Sequence, residues 1–332
     1  MCTAVTYQTK DHYFGRNLDL EYSYQETVTI TPRSFVLPFR KMGSLRTHFA
    51  MIGMAYVAQG YPLYYDATNE KGLSIAGLNF PGNADYKPFR EGRDNVTPFE
   101  LIPWLLGQCA TVAEAEKLLS RINILDEDFS SELPLSPLHW ILSDRERSVT
   151  LESVSSGLRI YENPVGVLTN NPPFEHHMLY LSHFANLTSG EPGNTFAGNG
   201  SALELTPYSR GMGAIGLPGD ASSMSRFVRA AFVKLHSVSG NSEEESVSQF
   251  FHILRSVEMQ RGCVRLDNGM YDMTIYSSCC NTDRGIYYYS TYDDSRIHGV
   301  DMHREDLQGS SLITYPLIKT TDLALQNLGG SV

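Results

Sequence analysis

The chain has 332 residues, yet no uninterrupted apolar run reaches 18, so no segment reads as a membrane-spanning helix. Its most apolar stretch, from Phe49 to Ala58, is the length of a buried strand. The start has no basic region leading into an apolar one, so it does not read as a secretory signal, and a cytoplasmic protein is expected. Runs of like charge are missing too. The 26 Lys and Arg are scattered among 37 Asp and Glu, for a net charge of −11. Nucleic acid is therefore excluded as a partner, because phosphate contacts need clustered cations. An anionic substrate would have to be held by a few local arginines.

Metal-site signatures are absent. The five cysteines, at 2, 109, 263, 279 and 280, form no C-x-x-C pair, and Cys279-Cys280 has no zinc-ligand spacing. An odd count without a secretion signal favours free thiols. His176-His177 is not part of H-E-x-x-H and reads as packing or surface. No metal and no cofactor is expected. There is also no internal repeat, low-complexity block or linker, and 42% hydrophobic content suffices for a large core. One domain spanning 1–332 is the simplest reading.

What is present begins with strands. Thr3 to Gln8, Tyr13 to Asn17, Thr27 to Thr31, Phe49 to Ala58 and Leu73 to Leu78 are rich in β-formers, with Asn69-Glu70-Lys71-Gly72 as the turn before the last. Helices are expected at Phe99 to Ala110 and from a Thr111/Glu114 capping box to Ile122. Leu138 to Leu142 and Ser148 to Val154 read as paired strands, and Val165 to Thr169 as another. Further helices are expected at Phe174 to Leu187, Ser223 to Leu235 and Ser246 to Met259, with a Ser242/Glu245 capping box. Asp272 to Asp301 reads as a hairpin pair. Strands, then helices, then strands argue against a parallel βαβ fold and for an α+β arrangement of two antiparallel sheets with helices outside.

The second residue carries the chemistry. A small residue at position 2 permits removal of Met1, and Cys2 would then bear a thiol and a free α-amine on the same unit: a nucleophile with its own base. The amine's ordinary pKa is about 8, so roughly a tenth is free base at pH 7. A nearby cation favours thiolate, a carboxylate orients the ammonium, and a side-chain amide or N–H must donate to the oxyanion. Phe14-Gly15-Arg16-Asn17-Leu18-Asp19 offers both charges. A turn at Asn17-Leu18 would be needed to bring Arg16 and Asp19 to one place; otherwise they form a surface salt bridge at a strand end.

Met1-Cys2-Thr3, that segment, Asn69-Glu70-Lys71-Gly72-Leu73, Ala76-Gly77-Leu78-Asn79-Phe80-Pro81, Gly166-Val167-Leu168-Thr169-Asn170, Gly216-Leu217-Pro218-Gly219-Asp220 and Ser225-Arg226-Phe227 occur in this order. Together they resemble the choloylglycine hydrolase family of conjugated bile acid hydrolases and penicillin V acylases, from residue 1 to about residue 300. The resemblance implies a four-layer αββα N-terminal nucleophile hydrolase, bacterial, cofactor-free and usually a homotetramer. It implies Cys2 as nucleophile, Arg16 beside the thiol, Asp19 on the α-amine, Asn170 as oxyanion donor with help from Asn79, and Arg226 completing the polar network. Taken alone, Asn170-Asn171-Pro172-Pro173 is turn chemistry and Arg226 a helix surface charge.

Within the family, Asn79 looks like the bile salt branch, where the acylase branch often carries Tyr. The resemblance implies a steroid bowl lined by Leu18, Ala58, Tyr65, Phe129 and Leu133. Tyr65 is bulkier, and Ala58 smaller, than residues some members carry there, and Phe129 and Leu133 also suit a loop packing on itself. Ser209-Arg210-Gly211 resembles taurine-preferring members: Arg210 would pair a sulfonate if it reaches the site, in its own chain or a neighbour's, and is otherwise a solvated loop residue. The expected activity is hydrolysis of conjugated bile salts. The alternatives are the same chemistry on penicillin V or acyl homoserine lactones, and a non-catalytic binding protein.

Overall fold

The first hairpin is buried on both faces almost throughout, and the rest of the molecule is built around it. β1 (Cys2–Gln8) and β2 (His12–Leu20) pair antiparallel, with Cys2 opposite Leu18 and Ala4 opposite Arg16. The computed structural model describes residues 1–197 and 201–321, together with 323, 325 and 327. Along the chain follow β3 (Thr27–Thr31), β4 (Met51–Ala58), β5 (Tyr61–Asn69), β6 (Ser74–Asn79), α1 (Leu101–Gln108) and α2 (Val112–Leu119). Next come β7 (Leu138–Ser143), β8 (Ser148–Val154), β9 (Gly157–Glu162), β10 (Val167–Leu168), α3 (Phe174–Leu181), α4 (Ser223–His236) and α5 (Glu243–Arg255). The last are β11 (Val264–Arg265), β12 (Tyr271–Asn281), β13 (Ile286–Thr291), β14 (His298–Asp301) and β15 (Ile313–Pro316).

Beside two two-stranded sheets, Leu37–Phe39 with Gly43–Leu45 and Asp94–Val96 with Ile122–Ile124, two large antiparallel sheets result among the described residues. One runs β10-β1-β2-β12-β13-β14, with β11 added to β12; the other runs β9-β8-β7-β6-β5-β4-β3-β15. Period-2 alternation divides the larger sheet between two cores. Ile52, Met54, Ala76, Leu78 and Ile141 pack with the first sheet and with Phe227, Ala231, Phe250 and Leu254 of α4 and α5. Their alternates Met51, Ala55, Ile75, Trp140 and Leu142 pack with Leu101, Leu105, Val112 and Ala115 of α1 and α2. Each large side chain so buried contributes roughly 1.5–3 kcal/mol. Helices, sheet, sheet, helices: this is the α+β, αββα sandwich expected. Gly15 is needed at its centre, because a Cβ there would fall 1.9 Å from the Ser278 carbonyl oxygen of β12.

Several elements differ from expectation. β5, β9 and β15 were not legible. Asn69–Gly72 joins β5 to β6, and β4 turns into β5 at Gln59 and Gly60, both with positive φ (52° and 76°). That is primed-turn geometry, and Gln-Gly is not one of its strong sequence signals. α3 ends at Leu181 and continues only as a 3-10 turn, Ser182–Phe184, short of Leu187. α5 starts at Glu243, ahead of Ser246, because Ser242 and Glu245 form the full capping box. At Thr111 the box is displaced: Thr111 accepts from the Glu114 N–H, but the Glu114 carboxylate takes the N–H of Ala110.

Candidate active site

No turn forms at Asn17-Leu18. β2 is continuous, so Arg16 and Asp19 point to opposite faces of the sheet. Cys2, Arg16, Leu18 and Leu20 line a cavity on the inner face. Asn17 and Asp19 face the helices: the Asn17 amide donates to the Leu254 carbonyl at 3.0 Å.

Arg16 is fully buried, not a surface charge. Its Nη1 donates to the carbonyls of Tyr65 (3.1 Å) and Gly77 (2.5 Å). The first acceptor exists because the β4–β5 pairing slips between Met54 and Ala55, leaving an extra residue in β5 that re-aims the backbone at Tyr65. Asp66 sits behind, accepting from the hydroxyls of Tyr276 and Tyr287, both at 2.7 Å. Burial pushes the Asp66 carboxyl up, and Arg16 pulls it partly back. Burial works against the Arg16 charge, but Cys2, Tyr276 and Asp66 outweigh it, so the guanidinium holds its proton more firmly than usual.

On the other face, Asp19 Oδ1 accepts from Thr274 Oγ1 at 2.6 Å. A register shift between Thr274 and Tyr276 in β12 brings that hydroxyl to it. Asp19 Oδ2 is buried without a partner. The Met1 ammonium donates to the backbone carbonyl of Asp19 (2.7 Å) and to Asp272 Oδ2 (2.9 Å). With Met1 in place, then, Asp19 holds the amine by its backbone and Asp272 holds it by its side chain. Burial lowers the Met1 amine pKa, but Cys2, Asp19 and Asp272 raise it, and it ends raised. Burial likewise raises the Asp19 carboxyl against the opposing pull of Arg226.

The Cys2 N–H donates to Asn170 Oδ1 at 2.8 Å. Arg226 Nη2 donates to the same oxygen (2.7 Å), and its Nη1 to the Cys2 carbonyl (2.5 Å) and Thr3 Oγ1 (2.6 Å). Arg226 is fully buried in the first turn of α4, so it is no helix surface charge. Asn170 Nδ2 donates to the Asn79 carbonyl at 2.7 Å, which leaves its second N–H available. The Asn170 segment is held by parts the sequence did not single out. Ser223 Oγ accepts from the Asn170 N–H (2.8 Å), His177 Nε2 donates to its carbonyl (2.9 Å), and His139 Nε2 donates to the Thr169 carbonyl (2.9 Å). Burial pushes the His177 imidazole down to about 4, so it is neutral.

The cavity is about 470 Å³, within the range of small-molecule sites. Beside Cys2 and Arg16 its wall includes Leu18, Tyr65, Asn79, Phe129 and Leu133. Phe129 packs edge-on against Phe99 at 5.2 Å, and Arg40 lies over its ring at 5.6 Å. Two expected lining residues fall outside. Ala58 is buried at the β4–β5 turn, opposite Tyr61, and Arg210 is exposed on a loop. A polar cavity of about 570 Å³, bordered by Asp85, Glu152, Arg159 and Tyr161, contains neither Cys2 nor Arg16. Among the described residues, no group of three or more His, Cys, Asp or Glu is arranged to hold a metal ion.

Two facing antiparallel sheets between helix layers, with a cysteine opening the first strand, define the N-terminal nucleophile hydrolase fold. The chain belongs to the linear amide C–N hydrolases of the choloylglycine hydrolase family, whose model matches residues 2–315. It is 56% identical over 317 residues to a bile salt hydrolase/transferase of Lactiplantibacillus plantarum, covering 96% of this chain and 97% of that one. It is 36% identical to a conjugated bile acid hydrolase of Lactobacillus acidophilus, covering 95% and 100%. A crystal structure of a variant conjugated bile acid hydrolase from Clostridium perfringens superposes with TM-score 0.89 at 35% identity, over 98% and 100% of the chains. A penicillin V acylase from Agrobacterium tumefaciens, 20% identical with TM-score 0.71 over 94% and 90%, shares the fold.

Proposed function

We propose that the protein is a bile salt hydrolase that cleaves the amide bond of glycine- or taurine-conjugated bile acids through Cys2, once Met1 has been removed. The observation that carries this reading is the bond from the Cys2 nitrogen to Asn170 Oδ1, anchored by Arg226, at the wall of an apolar, aromatic cavity. The names of the relatives point to the same substrates.

The chemistry follows from the two faces of β2. Arg16 stabilises negative charge on the Cys2 sulfur while the α-amine takes the thiol proton. Sγ attacks the amide carbonyl, and the oxyanion is held by the free N–H of Asn170 with the Asn79 amide. The α-ammonium, supported by Asp19, gives its proton to the leaving nitrogen, and glycine or taurine departs. Water, deprotonated by the free amine, then opens the thioester and restores the thiol. Arg226 keeps Asn170 and the Cys2 backbone in register. Leu18, Tyr65, Phe129 and Leu133 receive the steroid face.

The chain acts as one hydrolase unit over 1–332, in the cytoplasm of a bacterium, as a homotetramer whose role lies in lipid metabolism. Arg210, exposed on its loop, would pair with a sulfonate where that loop reaches a site, in its own chain or a neighbour's. Side-by-side hydrolysis of taurocholate, glycocholate and penicillin V is the test. The expected result is turnover of both bile salts well above penicillin V; preference for penicillin V, or for a long-chain acyl homoserine lactone in a parallel assay, overturns the reading.

A further inference from the structure

Asp272 is a buried carboxylate that the mechanism above leaves unused. It stands at the start of β12, and its Oδ2 pairs with the Met1 ammonium at 2.9 Å. Its Oδ1, like Oδ2 of Asp19, is buried without a partner. A buried carboxylate oxygen with no donor is costly unless another state of the molecule supplies one. Loss of Met1 is such a state. It removes the ammonium from Asp272, opens the space that Met1 fills, and turns the Cys2 N–H into an amine carrying up to three protons. One of these has its place on Asn170 Oδ1, and the others call for acceptors of their own.

We infer that Asp272 is a second positioning carboxylate for the catalytic α-amine, acting with Asp19. Successive backbone nitrogens in extended chain are about 3.5 Å apart by standard bond lengths. Asp272 Oδ2 therefore lies no more than about 6.5 Å from the Cys2 nitrogen, a gap that a small side-chain movement with one bridging water closes. This inference rests on the proposed role of the Cys2 amine. The other charged groups around Asp272 are Asp19 on β2, Arg226 on α4 and, beyond Asp19, Glu258 after α5. Arg265 lies on the paired strand β11 and is exposed. Asp19 and Asp272, with Glu258 behind them, outnumber the one buried guanidinium of Arg226 around the amine, which favours the ammonium that must protonate the leaving group.

The test uses full-length protein with Met1 removal verified by intact mass. kcat/KM for glycocholate is measured across pH for wild type, Asp272→Asn and Asp272→Glu. Removing the negative charge lets the ammonium lose its proton at lower pH. The alkaline limb should therefore fall by about one pH unit in Asp272→Asn, with recovery in Asp272→Glu. An alkaline limb unchanged in Asp272→Asn overturns the inference, whatever happens to the maximal rate, because a purely structural role would not move it. Should Asp272→Asn fail to fold, Asp272→Ser is read in the same way. The pH dependence of N-terminal amine labelling measures the same shift without turnover. A wild type that labels normally but does not hydrolyse glycocholate would count against the proposed function, whereas equal labelling profiles in wild type and variant count against Asp272.

Discussion

The two faces of β2 at the first strand differ in everything but burial. The inner face presents Arg16, Leu18 and Leu20 to a cavity of about 470 Å³, together with the Cys2 thiol. The outer face presents Asn17 and Asp19 to α5, Thr274 and the chain's amine end. One strand thus sorts opposite charges by the pleat alone: the cation goes with sulfur and substrate, the carboxylate with the nitrogen. The arrangement also keeps Arg16 and Asp19 from a direct ion pair, though Asp19 still adds to the hold of Arg16 on its proton. Each instead has its own polar setting, with backbone carbonyls and Asp66 for Arg16 and Thr274 for Asp19.

If the faces divide the work in this way, substitutions on them should fail differently. Arg16→Leu removes the cation on the thiol side. It should cut kcat/KM for conjugated bile salts by about 10²–10³-fold, the scale of losing one preorganised electrostatic partner, with the N-terminal amine titrating as before. Equal losses accompanied by a shifted amine titration would erase the distinction.

Asp19→Asn should cost less, about 10²-fold in kcat, and it should act through pH. Burial raises the Asp19 carboxyl above its ordinary value, so the folded state binds its proton more tightly than the unfolded state. The sign follows: stability falls as pH rises from about 4 through the folded value, because the buried carboxylate is then ionised. Asp19→Asn should therefore have an equal or higher Tm than wild type at pH 7, and that advantage should shrink in acid. Calorimetry at both pH values checks this. A smaller effect is expected on the cavity wall away from the sulfur. Phe129→Ala should raise KM for glycocholate by about tenfold with kcat nearly unchanged, as loss of an apolar wall weakens binding throughout the reaction. A fall in kcat without a change in KM would place Phe129 on the catalytic side of the comparison.

Much of this was legible from the chain. Cys2, Arg16, Asn79, Asn170 and Arg226 sit in short local motifs, and the strand and helix periodicities around them were clear. The error at Asn17-Leu18 is instructive. The sequence reading sought one place for both charges and inserted a turn, whereas nine residues of uninterrupted strand put them on two faces. Thr274, Asp66, Asp272, His139 and Ser223 were missed because nothing local marks them. They reach the site through pairings as distant as β2 with β12, and through strand irregularities at Tyr65 and Ile275 that no hydrophobic pattern reports. β5 escaped because Gln59-Gly60 is an unusual hairpin turn; Ala58 ends β4 just before it and does not line the cavity.

The central claim is that the Cys2 nitrogen must be free for catalysis. Protein expressed with and without inhibition of methionine aminopeptidase, each form defined by intact mass, should be compared for glycocholate hydrolysis. The account predicts that the form retaining Met1, its amine held by Asp272 and the Asp19 carbonyl, is inactive, and that activity rises in proportion to the fraction beginning at Cys2. Equal turnover by the form that keeps Met1 would contradict it.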